Sequence, residues 1–168
     1  VVFDTAAHMQ AHGDAHHVDG QHIAHAAFHR EFGTIGARIG DDTVEITTYR
    51  ADSYDPDSRK PVVAFGNNLE DDLFRRDFTV NSMALRLPEG VFVDPFNGLT
   101  DLIDGVIRTP GKPEDSFSDD PLRIMRAARF ASQLGFMVHE DTFRAMKDMA
   151  DRIEIVSAER IQVEISKL

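Results

Sequence analysis

Ser118-Asp119-Asp120-Pro121-Leu122-Arg123-Ile124-Met125-Arg126-Ala127-Ala128-Arg129-Phe130 is the stretch on which the reading of this chain turns. Asp120 followed by Pro121 spells a helix start, an N-cap acid and then proline at the first helical position. Behind it stands an arginine at every third position, 123, 126 and 129. A three-residue step turns an α-helix about 300°, so Asp120, Arg123, Arg126 and Arg129 form one drifting ridge. Ile124, Ala127, Ala128, Phe130, Ala131 and Leu134 fall largely on the opposite arc and are expected to pack inward. Three guanidiniums on one ridge repel unless an anion lies on them, and their planar forks suit phosphates or base edges. Asp120 beside Arg123 adds an acceptor to a donor array, which is what reading a nucleobase edge requires. Spacing alone leaves this open against a solvated arginine face with an aspartate cap.

Around that stretch the text predicts three helices, at about 120–134, 140–150 and 157–168, with Gly135 stopping the first. Ser157 suits the N-cap of the last, and Glu159 sits favourably in its first turn. Upstream, Phe32 to Ile39 and Thr43 to Tyr49 read as strands around the turn Gly40-Asp41-Asp42. Residues 51–67, rich in Asp, Ser, Pro, Gly and Asn, read as a long loop. Leu69 to Arg75 and Phe78 to Leu87 read as helical, and Val91 to Val93 as a short strand. Between 98 and 118 the pattern gives a short helix around Leu99–Ile103, a strand at Val106–Arg108 and a Pro/Gly/Ser linker. The fold class expected is α+β: a mixed sheet with helices, then an all-helical part.

Eighteen basic residues stand against 29 acidic ones, a net charge of −11, so a generic nucleic-acid coat is excluded and any polynucleotide must meet a local basic patch. There is no cysteine, hence no disulfide framework and no thiolate chemistry. No apolar run approaches the roughly 18–20 residues of a membrane span, so the expectation is a soluble, cytoplasmic protein that engages no membrane. Seven of the eight histidines lie between His8 and His29, and the chain starts at Val1, which suggests a fragment or a processed product. His8, His12 and His16, or His22, His25 and His29, could each line one helix face, but no carboxylate pattern supports a metal site there.

Two further blocks carry chemistry. Leu69-Glu70-Asp71-Asp72-Leu73-Phe74-Arg75-Arg76-Asp77-Phe78-Thr79-Val80-Asn81 leads from acids into a double arginine, with Asp77 and Asn81 four apart on a shared helix face. Either Arg76 clamps a phosphate while Asp77 and Asn81 hold sugar hydroxyls, or the block is a helix junction with internal ion pairs. Asp94-Pro95-Phe96-Asn97-Gly98-Leu99-Thr100-Asp101-Leu102 is turn chemistry and reads as structural, with Asp101 able to brace a hinge.

These blocks, followed by Ser157-Ala158-Glu159-Arg160-Ile161, resemble in order and spacing the bacterial class II tRNA nucleotidyltransferases, the CCA-adding enzymes that share a family with bacterial poly(A) polymerases. The resemblance runs from about Phe32 to Leu168. It implies the distal part of a nucleotidyltransferase head of polymerase-beta type at 31–100, a connection at 101–118 and a helical, RNA-binding neck at 119–168, with 1–30 unassigned. It implies addition of CMP and AMP from CTP and ATP to the 3′ end of tRNA, with poly(A) addition as the alternative within the family. Arg76 would contact the nucleotide phosphates, with Asp77 and Asn81 near the ribose. Asp120 and Arg123 would read the base, and Arg126 and Arg129 would complete the nucleotide site. Residues 51–67 correspond to the loop that helps switch the site from C to A, and Glu159 and Arg160 to a motif bracing the neck helices.

The same resemblance implies magnesium, held by an Asp-x-Asp pair behind a Gly-Gly-x-Val-Arg-Asp loop. Neither stands at its expected place in these 168 residues. Asp55 and Asp57 follow the second strand rather than precede it and read as turn residues, and Glu45 is at most a supporting carboxylate. No catalytic or metal residue is therefore assigned, and a nucleotide- or RNA-binding unit without chemistry of its own stands as a further alternative.

Overall fold

The computed structural model describes residues 23–29, 34–39, 42–47, 49–53, 62–65 and 68–168. Strands β1 (Ile23–His29), β2 (Thr34–Ile39) and β3 (Asp42–Thr47) form an antiparallel meander. β2 and β3 pair without slip from Thr34 opposite Thr47 to Ile39 opposite Asp42, as the two-strand reading expects. Because Ile23–His29 is a strand, no helix face unites His25 and His29. His8, His12, His16 and His22 lie outside the described residues, as do Asp55 and Asp57. Glu45 is exposed on β3.

The stretch 51–67 is not all loop. β4 (Arg50–Ser53) pairs antiparallel with β5 (Val62–Phe65), Arg50 opposite Phe65 and Ser53 opposite Val62. Val62-Val63-Ala64-Phe65 is a short β-prone run, and its polar partner needs only backbone groups to pair, so no alternation announces it. Helix α1 (Leu69–Phe74) starts where the Asn68 side chain accepts the Glu70 N–H at 2.9 Å, with Glu70, Asp71 and Asp72 in its positive first turn.

The helix expected over Phe78–Leu87 is replaced by a single 3-10 turn, Thr79–Asn81, and a hairpin of β6 (Ala84–Arg86) with β7 (Val91–Val93). Competing partners take the backbone groups that a helix would use. The Phe78 N–H donates to Asp77 Oδ1 at 2.9 Å, the Thr79 N–H to the Arg108 carbonyl at 2.8 Å, and the Ser82 hydroxyl to the Phe78 carbonyl at 2.9 Å. Asp94 then caps α2 (Gly98–Asp104), accepting the Gly98 N–H at 2.7 Å and the Leu99 N–H at 3.0 Å. A Cβ on Gly98 would stand 2.1 Å from the Thr79 carbonyl oxygen, so only glycine lets α2 lie this close to the turn. Buried Asp101 ties them together: it accepts the Thr79 hydroxyl at 2.7 Å and Arg108 Nε at 3.1 Å.

Residues read as a linker form a further helix, α3 (Pro113–Asp119), with proline in its first turn beside Glu114 and Asp115. α4 (Leu122–Leu134) follows at once and ends at Gly135, which has φ of 68°. Strand β8 (Val106–Ile107) pairs in parallel with β9 (Met137–Val138), and α5 (Glu140–Asp148), a 3-10 segment (Ala150–Ile155) and α6 (Ala158–Ile165) complete the chain. Phe78, Ile107 and Ala127 form one buried cluster, and Phe117, Ile124 and Ala145 a second, with Met146 packed against both. α4 is thus the wall shared by the α1–β8 region and the helical end. Its inward face differs from the expected arc: Ala128 is exposed and Leu134 half-exposed, whereas Arg129 is buried.

Candidate nucleotide site

Arg75, Arg76, Asp77, Asn81, Asp120, Arg123 and Arg126 line an open cleft of about 420 Å³. Six of the seven residues expected from sequence therefore converge, drawn from the end of α1, the 3-10 turn and the α3–α4 junction. Arg129 is the one left out, and Arg75 is an addition. A neighbouring hollow of about 330 Å³ shares Arg75 and Arg123 with the cleft and has Phe74, Lys112 and Asp115 on its wall.

The double arginine is anchored from below. Buried Asp72 accepts Arg75 Nη2 at 2.8 Å through one oxygen and Arg76 Nη2 at 3.3 Å through the other. Arg76 Nη1 also donates to the Asn81 carbonyl at 3.1 Å, so its guanidinium bridges α1 and the 3-10 turn. Asp77 and Asn81 do not share a helix face, because no helix runs through them. They meet across the turn, where Asn81 Nδ2 donates to Asp77 Oδ1 at 3.0 Å.

The other Asp77 oxygen takes Arg126, whose Nε donates at 2.9 Å. Arg126 Nη1 reaches Glu164 Oε1 on α6 at 3.3 Å. Burial works against the Arg126 charge, but the attraction and hydrogen bonds of Asp77 and then Glu164 outweigh it and raise its pKa above the usual arginine value. Arg129 was expected to complete the cleft and instead points into the protein. Its Nε donates to Glu164 Oε2 at 2.6 Å and its Nη1 to Gln133 Oε1 at 2.8 Å.

The pair expected to read a base stands at the start of α4. Asp120 is not a simple N-cap: it closes α3, and its Oδ1 accepts the Leu122 N–H at 3.2 Å across Pro121. Its Oδ2 accepts Arg160 Nη2 from α6 at 2.8 Å, which places Arg160 as a brace between elements. Arg123 donates through Nη1 to Ser116 Oγ at 2.8 Å and through Nη2 to the Arg75 carbonyl at 2.5 Å. Sequence reasoning overlooked Ser116, Arg75 and Glu164. Only Glu164 left a readable sign, an acid three residues after Ile161 and so on the same helix face.

Among the described residues no three His, Cys, Asp or Glu side chains gather to hold a metal ion. The cleft carboxylates Asp77 and Asp120 are each taken up by donors on both oxygens. The described residues therefore bring together no carboxylate cluster that fits magnesium.

A donor-rich cleft between an α+β region and a helical one, with four guanidiniums facing two carboxylates, sits in a fold of the nucleotidyltransferase head class. Comparison with known proteins narrows this. Residues 2–108 match the poly A polymerase head domain, residues 135–168 match the probable RNA- and SrmB-binding site of polymerase A, and the chain belongs to this family. It is 45% identical to the CCA-adding enzyme of Oceanobacillus iheyensis over 139 residues, 82% of this chain and 34% of that one. It is 46% identical to that of Lactobacillus helveticus over 137 residues, 81% of this chain and 34% of the relative. The chain spans about a third of the length of these curated relatives. Among solved structures it resembles the Bacillus stearothermophilus CCA-adding enzyme in complex with CTP, with a TM-score of 0.72 and 38% identity over 81% of this chain and 32% of that one. It also resembles a tRNA nucleotidyltransferase complexed with a primer tRNA and an incoming ATP analog, with a TM-score of 0.69 and 35% identity over 84% of this chain and 40% of the other.

Proposed function

We propose that this chain carries the nucleotide-selecting part of an enzyme that adds CMP and AMP, from CTP and ATP, to the 3′ end of tRNA. The observation that carries the reading is the convergence of Arg76, Asp77, Asn81, Asp120, Arg123 and Arg126 on one cleft. Arg76 supplies the phosphate contact, and Asp77 with Asn81 lies where the ribose would sit. Asp120 and Arg123 read the base. Cytosine and adenine both present an exocyclic amine beside an unprotonated ring nitrogen, so a carboxylate can accept from the first while a guanidinium donates to the second. Guanine and uracil reverse that order and would leave buried polar groups unpaired, at roughly 1–3 kcal/mol for each lost bond. Arg126 borders the site, and Arg129 acts only at a distance through Glu164.

In this reading the head runs over 31–100, the connection over 101–118 and the neck over 119–168, with RNA held along the neck. Among the described residues no helix is long and apolar enough to cross a membrane. The tRNA substrate makes the cytoplasm the compartment this reading implies. Magnesium would supply the electrostatics of phosphoryl transfer, but the described residues do not fit it. The relatives' own names and ligands, CCA-adding enzymes with CTP or with primer tRNA and an ATP analog, support the reading.

The test supplies CTP and ATP with a tRNA lacking its terminal trinucleotide. Ordered addition of C, C and A supports the proposal, whereas addition of A alone with CTP ignored favours poly(A) synthesis. Nucleotide binding without any incorporation assigns the chain to the binding-only alternative.

A further inference from the structure

Resting on the base-reading roles of Asp120 and Arg123, we propose that Ser116 and Arg160 are positioning residues for base selection: they hold the base-reading pair without touching the base. Arg123 carries five N–H donors. One N–H on Nη1 goes to Ser116 Oγ at 2.8 Å and one on Nη2 to the Arg75 carbonyl at 2.5 Å. Two hydrogen bonds from two elements fix the plane of the guanidinium, and among the described residues its three other donors take no acceptor. Ser116 itself is buried in α3, 8% exposed, so its hydroxyl is a fixed post rather than a mobile surface group.

Asp120 is also held on both oxygens, although here the anchor is a half-exposed arginine rather than a buried hydroxyl. Oδ1 is held by the Leu122 N–H at 3.2 Å and Oδ2 by Arg160 Nη2 at 2.8 Å, from a helix 40 residues further on. Each carboxylate oxygen keeps a second lone pair, so the acid can accept from a base amine without releasing Arg160. The backbone sets the spacing of the two readers, since the Arg123 N–H donates to the Asp120 carbonyl at 3.0 Å. An unheld arginine would sample many rotamers and would pay to be ordered on each binding event. It would also bend toward either base pattern. Held in one plane, it accepts one.

The two anchors act on opposite members of the pair, so their loss should show in selectivity before affinity. The experiment measures the Kd of CTP, ATP, GTP, UTP and inorganic tripolyphosphate for the wild-type chain and for Ser116→Ala, Ser116→Thr, Arg160→Gln and Arg160→Lys. Circular dichroism checks that each variant folds. The preference for CTP and ATP over GTP and UTP is expected to fall about two- to tenfold in Ser116→Ala and in Arg160→Gln. Tripolyphosphate affinity should hold, and Ser116→Thr and Arg160→Lys should restore part of the preference. An unchanged preference in both the alanine and glutamine variants overturns the inference while leaving the base-reading roles intact. Equal loss for all five ligands also overturns it, because that is the mark of a structural role. Wild-type protein that binds all four nucleotides alike overturns the base-reading roles themselves, and the inference with them.

Discussion

Glu164→Gln should destabilise this protein well beyond a surface substitution. Glu164 is 4% exposed and serves two guanidiniums, Arg129 Nε at 2.6 Å and Arg126 Nη1 at 3.3 Å. Arg129 is itself only 8% exposed, and its other acceptor, Gln133 Oε1, is neutral. A glutamine removes the charge that balances Arg129 and turns an amide N–H₂ toward one of the two arginines. Stripping one partner from a buried ion pair costs about 3–5 kcal/mol. Arg126 keeps Asp77 and glutamine keeps one carbonyl acceptor, so the lower end, about 3 kcal/mol, is the expectation. In a chain of this size that lowers Tm by roughly 6–12 °C. Urea and thermal unfolding followed by circular dichroism measure it. The double variant Glu164→Leu with Arg129→Met should be more stable than Glu164→Leu alone, because it no longer strands a buried charge. A glutamine variant within about 1 kcal/mol of wild type would refute the claim that this pair fastens α6 to α4.

Arg123→Ala should blur discrimination among nucleotides more than it weakens triphosphate binding, and titration with all four triphosphates checks this; equal loss for each would remove Arg123 from base reading. Arg76→Ala should weaken all four alike in the same titration, and a base-selective effect would count against its phosphate role. Gly98→Ala drives a methyl group to 2.1 Å from the Thr79 carbonyl oxygen and should cost about 1–3 kcal/mol or more in urea unfolding; full stability would mean that α2 shifts freely. The Glu159 carboxylate, exposed and held below its ordinary pKa by its own backbone N–H and then by the Ser157 hydroxyl, stabilises the start of α6 above the ordinary glutamate value and ceases to do so as pH falls through the depressed one. Hydrogen exchange at the first amides of α6 between pH ~6 and ~3 should therefore quicken relative to a Glu159→Gln variant, and parallel profiles would contradict this.

Much of the fold was legible where local signals agreed. Gly135 after an amphipathic run, Ser157 ahead of Ala158, and Thr34–Ile39 with Asp42–Thr47 were read nearly at their observed bounds. The failures have particular causes. Phe78–Leu87 carries a helical pattern, but Asp77, Arg108 and the Ser82 hydroxyl claim its backbone groups, the Arg108 contact coming from about 30 positions away. α3 was missed although Pro113-Glu114-Asp115 sets a proline in the first turn with acids at the positive end. β4 was hidden because pairing through the backbone asks little of its side chains. In the cleft, charged residues were legible by type and spacing. Their supports were not: a serine at 116 or a carbonyl at 75 has no signature until the chain is folded.

The arginine ridge illustrates how far spacing can be pressed. Each arginine lies about 60° behind the one before it on a 3.6-residue helix, so from Arg123 to Arg129 the guanidiniums sweep roughly 120°. That is too wide for one face. The ridge starts in the cleft and ends in the core, and the side chain at 126 is 30% exposed where that at 129 is 10%. Compensation follows burial, as it must when desolvation grows along the helix. Arg129 takes Glu164 at 2.6 Å, and Arg126 shares Glu164 and takes Asp77. Among the described residues Arg123 hydrogen-bonds only to neutral groups, the Ser116 hydroxyl and the Arg75 carbonyl. Its guanidinium is held in place by neutral acceptors, and it stands where the cleft opens. A repeat that looked like three equivalent arginines is therefore a gradient, from one that lines the open cleft to one that is buried against Glu164 of α6.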